Sequence, residues 1–100
     1  MSGSVRLSDS FKGPTDIYLD GEVIGVIWGN LEHFDYIKLD EEYRGNGYAT
    51  QALELYIEEA RKSVDRMETT EVLSSTVRKV FLANGFEEVE PNKFVCEFDD

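Results

Sequence analysis

A chain of 100 residues has room for one domain and one core. Its composition is 41% hydrophobic and 31% charged, with the two kinds interspersed, which excludes a disordered segment. Ten basic residues against twenty-one acidic ones leave a net charge of −11, which argues against nucleic-acid binding, where Lys and Arg must displace counterions.

That charge suits a basic partner such as a lysine, a polyamine or an amine terminus. It equally suits a salt-adapted host, a decoy that mimics nucleic acid, or plain surface solvation. No apolar run reaches the length of a membrane span and no signal-peptide pattern opens the chain, so a soluble, cytoplasmic protein with no membrane partner is expected. A single cysteine, Cys96, and a single histidine, His33, leave no internal disulfide and no expected metal site. Cys96 sits in an alternating strand pattern and reads as small apolar filler.

Residues 1–14, rich in Ser and Gly, read as a loose lead-in, with Val5 to Leu7 as a short edge strand. Residues 15–100 read as the single domain. Thr15 to Leu19 and Glu22 to Trp28 are expected strands joined by Asp20-Gly21, a two-residue hairpin signal because both positions take positive φ. Gly29-Asn30 reads as the next turn and His33 to Leu39 as a third strand. Alternation puts His33, Asp35, Ile37 and Leu39 on one face and Phe34, Tyr36 and Lys38 on the other.

Tyr48 to Val64 carries Ala49, Ala52, Leu53, Tyr56, Ile57, Ala60 and Val64 at helical spacing, with Glu58 and Lys62 as an i,i+4 pair on its outer face. A fourth strand is expected at Glu68 to Leu73, which makes the helix a right-handed crossover between parallel strands. A second helix is expected from Thr76 to Asn84, with Ser75 as N-cap and Gly85 beyond its end in the left-handed region. Phe86 to Val89 and Phe94 to Phe98 complete the pattern as a hairpin around Pro91-Asn92. The expected order is βββαβαββ, an α+β fold with a mixed, mostly antiparallel sheet.

The segment from Ile37 through Arg44-Gly-Asn-Gly-Tyr-Ala49 to Thr50 is a strand, a glycine turn and a helix start. Such a turn gathers unpaired backbone N–H groups before the positive end of a helix dipole, a seat for phosphate or pyrophosphate. No Gly-Lys-Ser/Thr follows and a third glycine is missing, so it is neither a P-loop nor a dinucleotide fingerprint. From physics alone a plain glycine turn is about as good a reading.

Arg44-Gly-Asn-Gly-Tyr-Ala49 resembles the (Gln/Arg)-x-x-Gly-x-(Gly/Ala) signature of the GNAT superfamily of N-acetyltransferases. Val80-Phe-Leu-Ala-Asn-Gly-Phe86 is similar to that family's helix-to-strand segment. The likeness covers roughly residues 15–98, without the family's usual N-terminal strand and helix pair. It implies a GNAT-like fold and acetyl-CoA as co-substrate. Backbone groups of Arg44, Gly45, Asn46, Gly47, Tyr48, Ala49 and Thr50 would hold the pyrophosphate, and the edge Ile37, Lys38, Leu39 would pair with the pantetheine. Acetyl would pass directly, in a ternary complex, to a primary amine on a protein or small molecule.

Such transfer needs a base for the amine. His33 suits it, because imidazole changes charge near neutral pH and the residue lies on the strand six positions before Leu39; a plain surface histidine is an equal reading. Glu32, Asp35 and Glu71 are alternatives, and Glu71 stands where the family often carries a carboxylate. Phe81 occupies the place of the family's tyrosine, the acid for the departing thiolate, so water or another group such as Tyr36 or Tyr43 must serve. Two further readings follow. One is a catalytically weak or inactive interaction protein that keeps the fold. The other is a phage-type inhibitor, because small acidic GNAT-like acetyltransferases occur among anti-CRISPR proteins and the segment Phe81 to Glu87 is similar. An exposed edge strand allows a monomer or a homodimer.

Overall fold

The computed structural model describes residues 4–98. Its seven strands are β1 (Val5–Leu7), β2 (Thr15–Leu19), β3 (Glu22–Asn30), β4 (His33–Leu39), β5 (Arg66–Thr69), β6 (Glu87–Glu90) and β7 (Lys93–Glu97). They form one sheet in the order β1-β2-β3-β4-β5-β7-β6, in which only β4 and β5 run parallel. The β2–β3 hairpin turns on Asp20 and Gly21, at φ 52° and 86°. These are the left-handed values that match the twist of the flanking strands.

Helices α1 (Tyr48–Ser63) and α2 (Ser75–Ala83) follow β4 and β5 and pack against each other. Both lie on the same face of the sheet. The Phe34 ring on β4 meets Tyr56 of α1 at 6.5 Å and Phe81 of α2 at 5.2 Å between centroids. Ile17, Ile24, Ile27, Met67 and Phe94 of the sheet and Leu53 and Ile57 of α1 complete the core. Each large apolar side chain buried there contributes about 1.5–3 kcal/mol relative to exposure. Gly25 of β3 is required by close approach, since a Cβ there would meet the Lys38 carbonyl and the Leu39 backbone. The opposite face of β2–β4 presents Val23, Trp28 and Tyr36 to solvent.

Four local expectations are corrected. Gly29-Asn30 is not the turn. Both residues extend β3, and the Asn30 side chain accepts the N–H groups of Glu32 (2.8 Å) and His33 (2.9 Å), so the chain reverses at Leu31-Glu32. The faces of β4 do not alternate throughout. Trp28 pairs with Tyr36 but Gly29 with Phe34, which makes Asp35 an extra, bulged residue. Phe34 therefore points to the helices along with Leu39, while Tyr36 and Lys38 are exposed.

The fourth strand spans Arg66–Thr69 rather than 68–73, because Val72 donates its N–H to Asn92 O (2.7 Å) and the chain turns off the sheet. The cap of α2 is Ser74, one residue before the expected Ser75; its Oγ accepts from the Val77 N–H at 3.3 Å. At the other end of α2, Gly85 has φ 88° and Phe86 donates its N–H to Phe81 O at 3.0 Å. The Phe81 and Phe86 rings lie 4.9 Å apart, the apolar contact that accompanies a left-handed helix end.

Candidate active site

Two parallel strands, each followed by a helix, open their helix N-termini at the same end of the sheet. That end is where such folds bind ligands. Here the two strands also part. Pairing of β4 with β5 covers His33 with Glu68 and Phe34 with Thr69. Thr70 then donates its N–H to Phe34 O (3.0 Å) and its hydroxyl to the bulged Asp35 carbonyl (2.8 Å). Beyond that point β4 runs on alone to Leu39. Asp40 donates its N–H to Ile24 O (2.8 Å), so by strand parity Lys38 turns its backbone groups to β3 while Ile37 and Leu39 turn theirs to the parted side.

The parted edge leads to the glycine turn. A 3-10 turn at Glu41–Tyr43 ends β4, and Gly45 and Gly47 take φ 82° and 80°. Gly47 is the N-cap of α1 and supplies no side chain to cap it. The first bond inside the helix runs from Gln51 N–H to Gly47 O (3.1 Å). The N–H groups of Tyr48, Ala49 and Thr50 thus have no acceptor among the described residues. A Cβ built on Gly45 or Gly47 meets nothing within 4 Å, so the turn stands open. Asn46 folds its amide onto the turn, towards Tyr43 O (3.4 Å) and Arg44 O (3.3 Å).

A cavity of about 430 Å³ lies against this turn, lined by Ile37, Leu39, Arg44, Gly45, Gly47, Tyr48, Ala49 and Thr50 on one side. The start of α2, with Ser74, Thr76 and Val77, forms the other side. Two helix N-termini therefore place their partial positive charges on one space. Arg44 adds a full charge: its Nε donates to Leu39 O (3.1 Å), and it forms no ion pair among the described residues. Loop and strand end are thereby tied together, with Arg44 lining the cavity.

A smaller cavity of about 150 Å³ adjoins it between the parted strands, lined by Phe34, Tyr36, Ile37, Glu71, Val72, Leu73, Ser74 and Val77. Ile37, Ser74 and Val77 border both spaces.

Of the residues singled out in the sequence as site candidates, eight border the larger cavity, and Tyr36, Glu71 and again Ile37 border the smaller. Lys38 and Asn46 border neither, the first because it faces away and the second because it braces the turn. His33 also lies outside both. It sits where β4 and β5 are still paired, with Nε2 3.5 Å from Asp35 Oδ1. Phe81 is fully buried among Phe34, Phe86 and Phe94. Tyr43 lies at the foot of the turn, its hydroxyl 3.4 Å from Glu22. Lost hydration, then the charges of Glu22 and Glu42, raise its phenol above the ordinary value. Ser74, Thr76 and Val77 were not foreseen as lining residues. Their only local signal was the helix start, and their role follows from the parallel pairing that brings α2 beside α1.

The family model described as acetyltransferase (GNAT) family matches residues 5–86. Among solved structures, the chain is similar to PH1933 from Pyrococcus horikoshii OT3 (12% identity, TM-score 0.69, 88% of this chain and 66% of that one). It is also similar to RimL, a ribosomal L7/L12 alpha-N-protein acetyltransferase (18%, 0.63, 87% and 70%). A third likeness is to YhhK from E. coli, solved bound to coenzyme A (16%, 0.60, 88% and 73%). At these identities the likeness is one of fold, and the chain spans about two thirds of the length of the first of them. No curated protein matches it.

Proposed function

This chain belongs to the GNAT family of acetyltransferases, and from that premise we propose that it transfers acetyl from acetyl-CoA to a primary amine within a ternary complex. The observation that carries the proposal is the cavity of about 430 Å³ at the uncapped start of α1, beside an arginine with free donors. The fit to a pyrophosphate rests on the open N–H groups of Tyr48, Ala49 and Thr50 and on two glycines held at positive φ with free space before them. Ile37 and the Leu39 N–H offer a strand edge to the pantetheine amides. The Leu39 carbonyl is already taken by Arg44.

Bound acetyl-CoA supplies an activated thioester. The chain's own part is to seat it, exclude bulk water and move protons. Glu71, on the smaller cavity, takes the proton that the ammonium must lose, directly or through one water. His33 lines neither cavity and can serve only through bridging water. As the amine nitrogen bonds to the acetyl carbon and the carbon–sulfur bond breaks, the sulfur needs a hydrogen. Ser74 borders both spaces, and its Oγ accepts from Val77, which leaves its hydroxyl free to hydrogen-bond the departing sulfur, while the proton shed by the attacking nitrogen, passed on through water, neutralises the thiolate. A thiol pKa of about 8.5 makes a strong acid unnecessary.

Release of free thiol from acetyl-CoA, dependent on an added amine, tests the proposal. Coenzyme A binding without thiol release towards any amine would favour the second reading, a non-catalytic binder. That reading draws on Phe81, whose buried ring stands where the resemblance places an acid.

A further inference from the structure

The smaller cavity opens beside an aromatic pair that the proposed chemistry does not use. Trp28 and Tyr36 are directly paired across β3 and β4, with ring centroids 6.4 Å apart and planes 28° from parallel. They are 38% and 50% exposed, although stacked aromatics of this size are normally buried. Tyr36 itself lines the cavity, next to Glu71 and the exposed Leu73. The pair is continuous with an open sheet face. Tyr18 opposite Val23, and Val26 opposite Lys38, extend it across β2, β3 and β4. Both helices lie on the other side, as the contacts of Phe34 establish.

We infer that the acceptor is a lysine on a basic polypeptide that lies across this open face, its alkyl chain and ammonium passing over the Trp28–Tyr36 rings towards Glu71. The inference rests on the acetyl-transfer reading and names the substrate class for the same cleft. Three observations select the occupant. The rings offer a negative π face to a cation, and Glu71 offers a carboxylate beyond them. The space between the strands, about 150 Å³, has room for an unbranched chain end. The open face continues over three strands, with Asp16 opposite Val26 adding a carboxylate to it, wider than a small amine can cover, on a molecule of net charge −11 that attracts basic chains. Lys38, after Tyr36 along β4, and Arg6, opposite Tyr18 on β1, also stand on this face, and neither lines the smaller cavity with Glu71.

Trp28 is the protein's single tryptophan, so its fluorescence reports the platform directly. The full chain, saturated with coenzyme A, is titrated with a peptide holding one lysine between arginines, with an acidic peptide of equal length, and with spermidine. Calorimetry of coenzyme A alone is run first, so that failure of the cofactor reading is seen separately. The basic peptide is expected to shift and quench the Trp28 emission, and the other two are not. Trp28→Leu keeps an apolar side chain on the strand without the ring. By calorimetry it should bind the peptide roughly tenfold more weakly, with coenzyme A affinity unchanged. The inference is overturned if the emission ignores the basic peptide, if spermidine acts equally well, or if Trp28→Leu binds the peptide as tightly as the parent. It is also overturned if that variant changes the sedimenting mass, which would make the face a contact between copies.

Discussion

Removing the hydroxyl of Tyr56 should stabilise the protein. Tyr56 is fully buried on α1, its ring 5.8 Å from Phe11 and 6.5 Å from Phe34, and its hydroxyl has no hydrogen-bond partner among the described residues. A buried hydroxyl without a partner costs roughly 1–3 kcal/mol, while phenylalanine keeps the ring contacts. Tyr56→Phe is therefore expected to gain about 1–2 kcal/mol, and each kcal/mol raises Tm by roughly 4–8 °C in a domain of this size.

The same group predicts a pH signature. Burial first, and then the charge of Asp35, push the Tyr56 phenol up to about 12 from 10.0. Between those values the folded protein keeps a proton that the unfolded chain has lost. The contribution is thus complete below pH 10 and lost as pH rises towards 12. Two pH units correspond to about 2.7 kcal/mol, an upper figure. Urea denaturation of parent and variant from pH 7 to 11.5 tests both points. The difference in stability between them should widen steadily above pH 10 in favour of Tyr56→Phe. A variant less stable than the parent by 1 kcal/mol at pH 7, or one with the same alkaline slope, would refute the reasoning and give the hydroxyl a partner.

Gly47→Val should fold at a cost of about 1–2 kcal/mol for a side chain at φ 80°, since the space around it is open, yet lose coenzyme A affinity more than tenfold in calorimetry because the turn can no longer present its N–H groups. Gly25→Ala should behave in the opposite manner: its Cβ would press on the Lys38 carbonyl and the Leu39 backbone, so thermal unfolding should reveal a loss of roughly 1–3 kcal/mol, with the cofactor turn itself untouched.

Where local chemistry decides structure, the sequence was legible. Asp20-Gly21 announces its hairpin because two consecutive positive φ values are expensive for other residues. The apolar stripe of α1 announces the helix because one face must be buried, and its observed start at Tyr48 is the expected one. The glycine turn was legible for a similar reason, and eight residues named from it border one cavity.

What failed was set by distant partners. The Asp35 bulge arises from how β3 meets β4, and no residue near it signals an extra position. Once present, it reverses the faces upstream, so Phe34 enters the core on the side assigned to His33. The early end of β5 depends on Asn92, twenty residues further along the chain from Val72. The place of Ser74 and Val77 in the cleft depends on two helices meeting, which no window of sequence contains.

The account depends on a pyrophosphate held by open amide hydrogens at the start of α1. Calorimetry with coenzyme A and with pantetheine, which shares the thiol arm but lacks the pyrophosphate, tests this directly. Two hydrogen bonds to a charged group, at roughly 1.5 kcal/mol each, amount to about a hundredfold, so coenzyme A should bind at least that much more tightly. Equal affinity for the two, or no binding of either, would contradict the account.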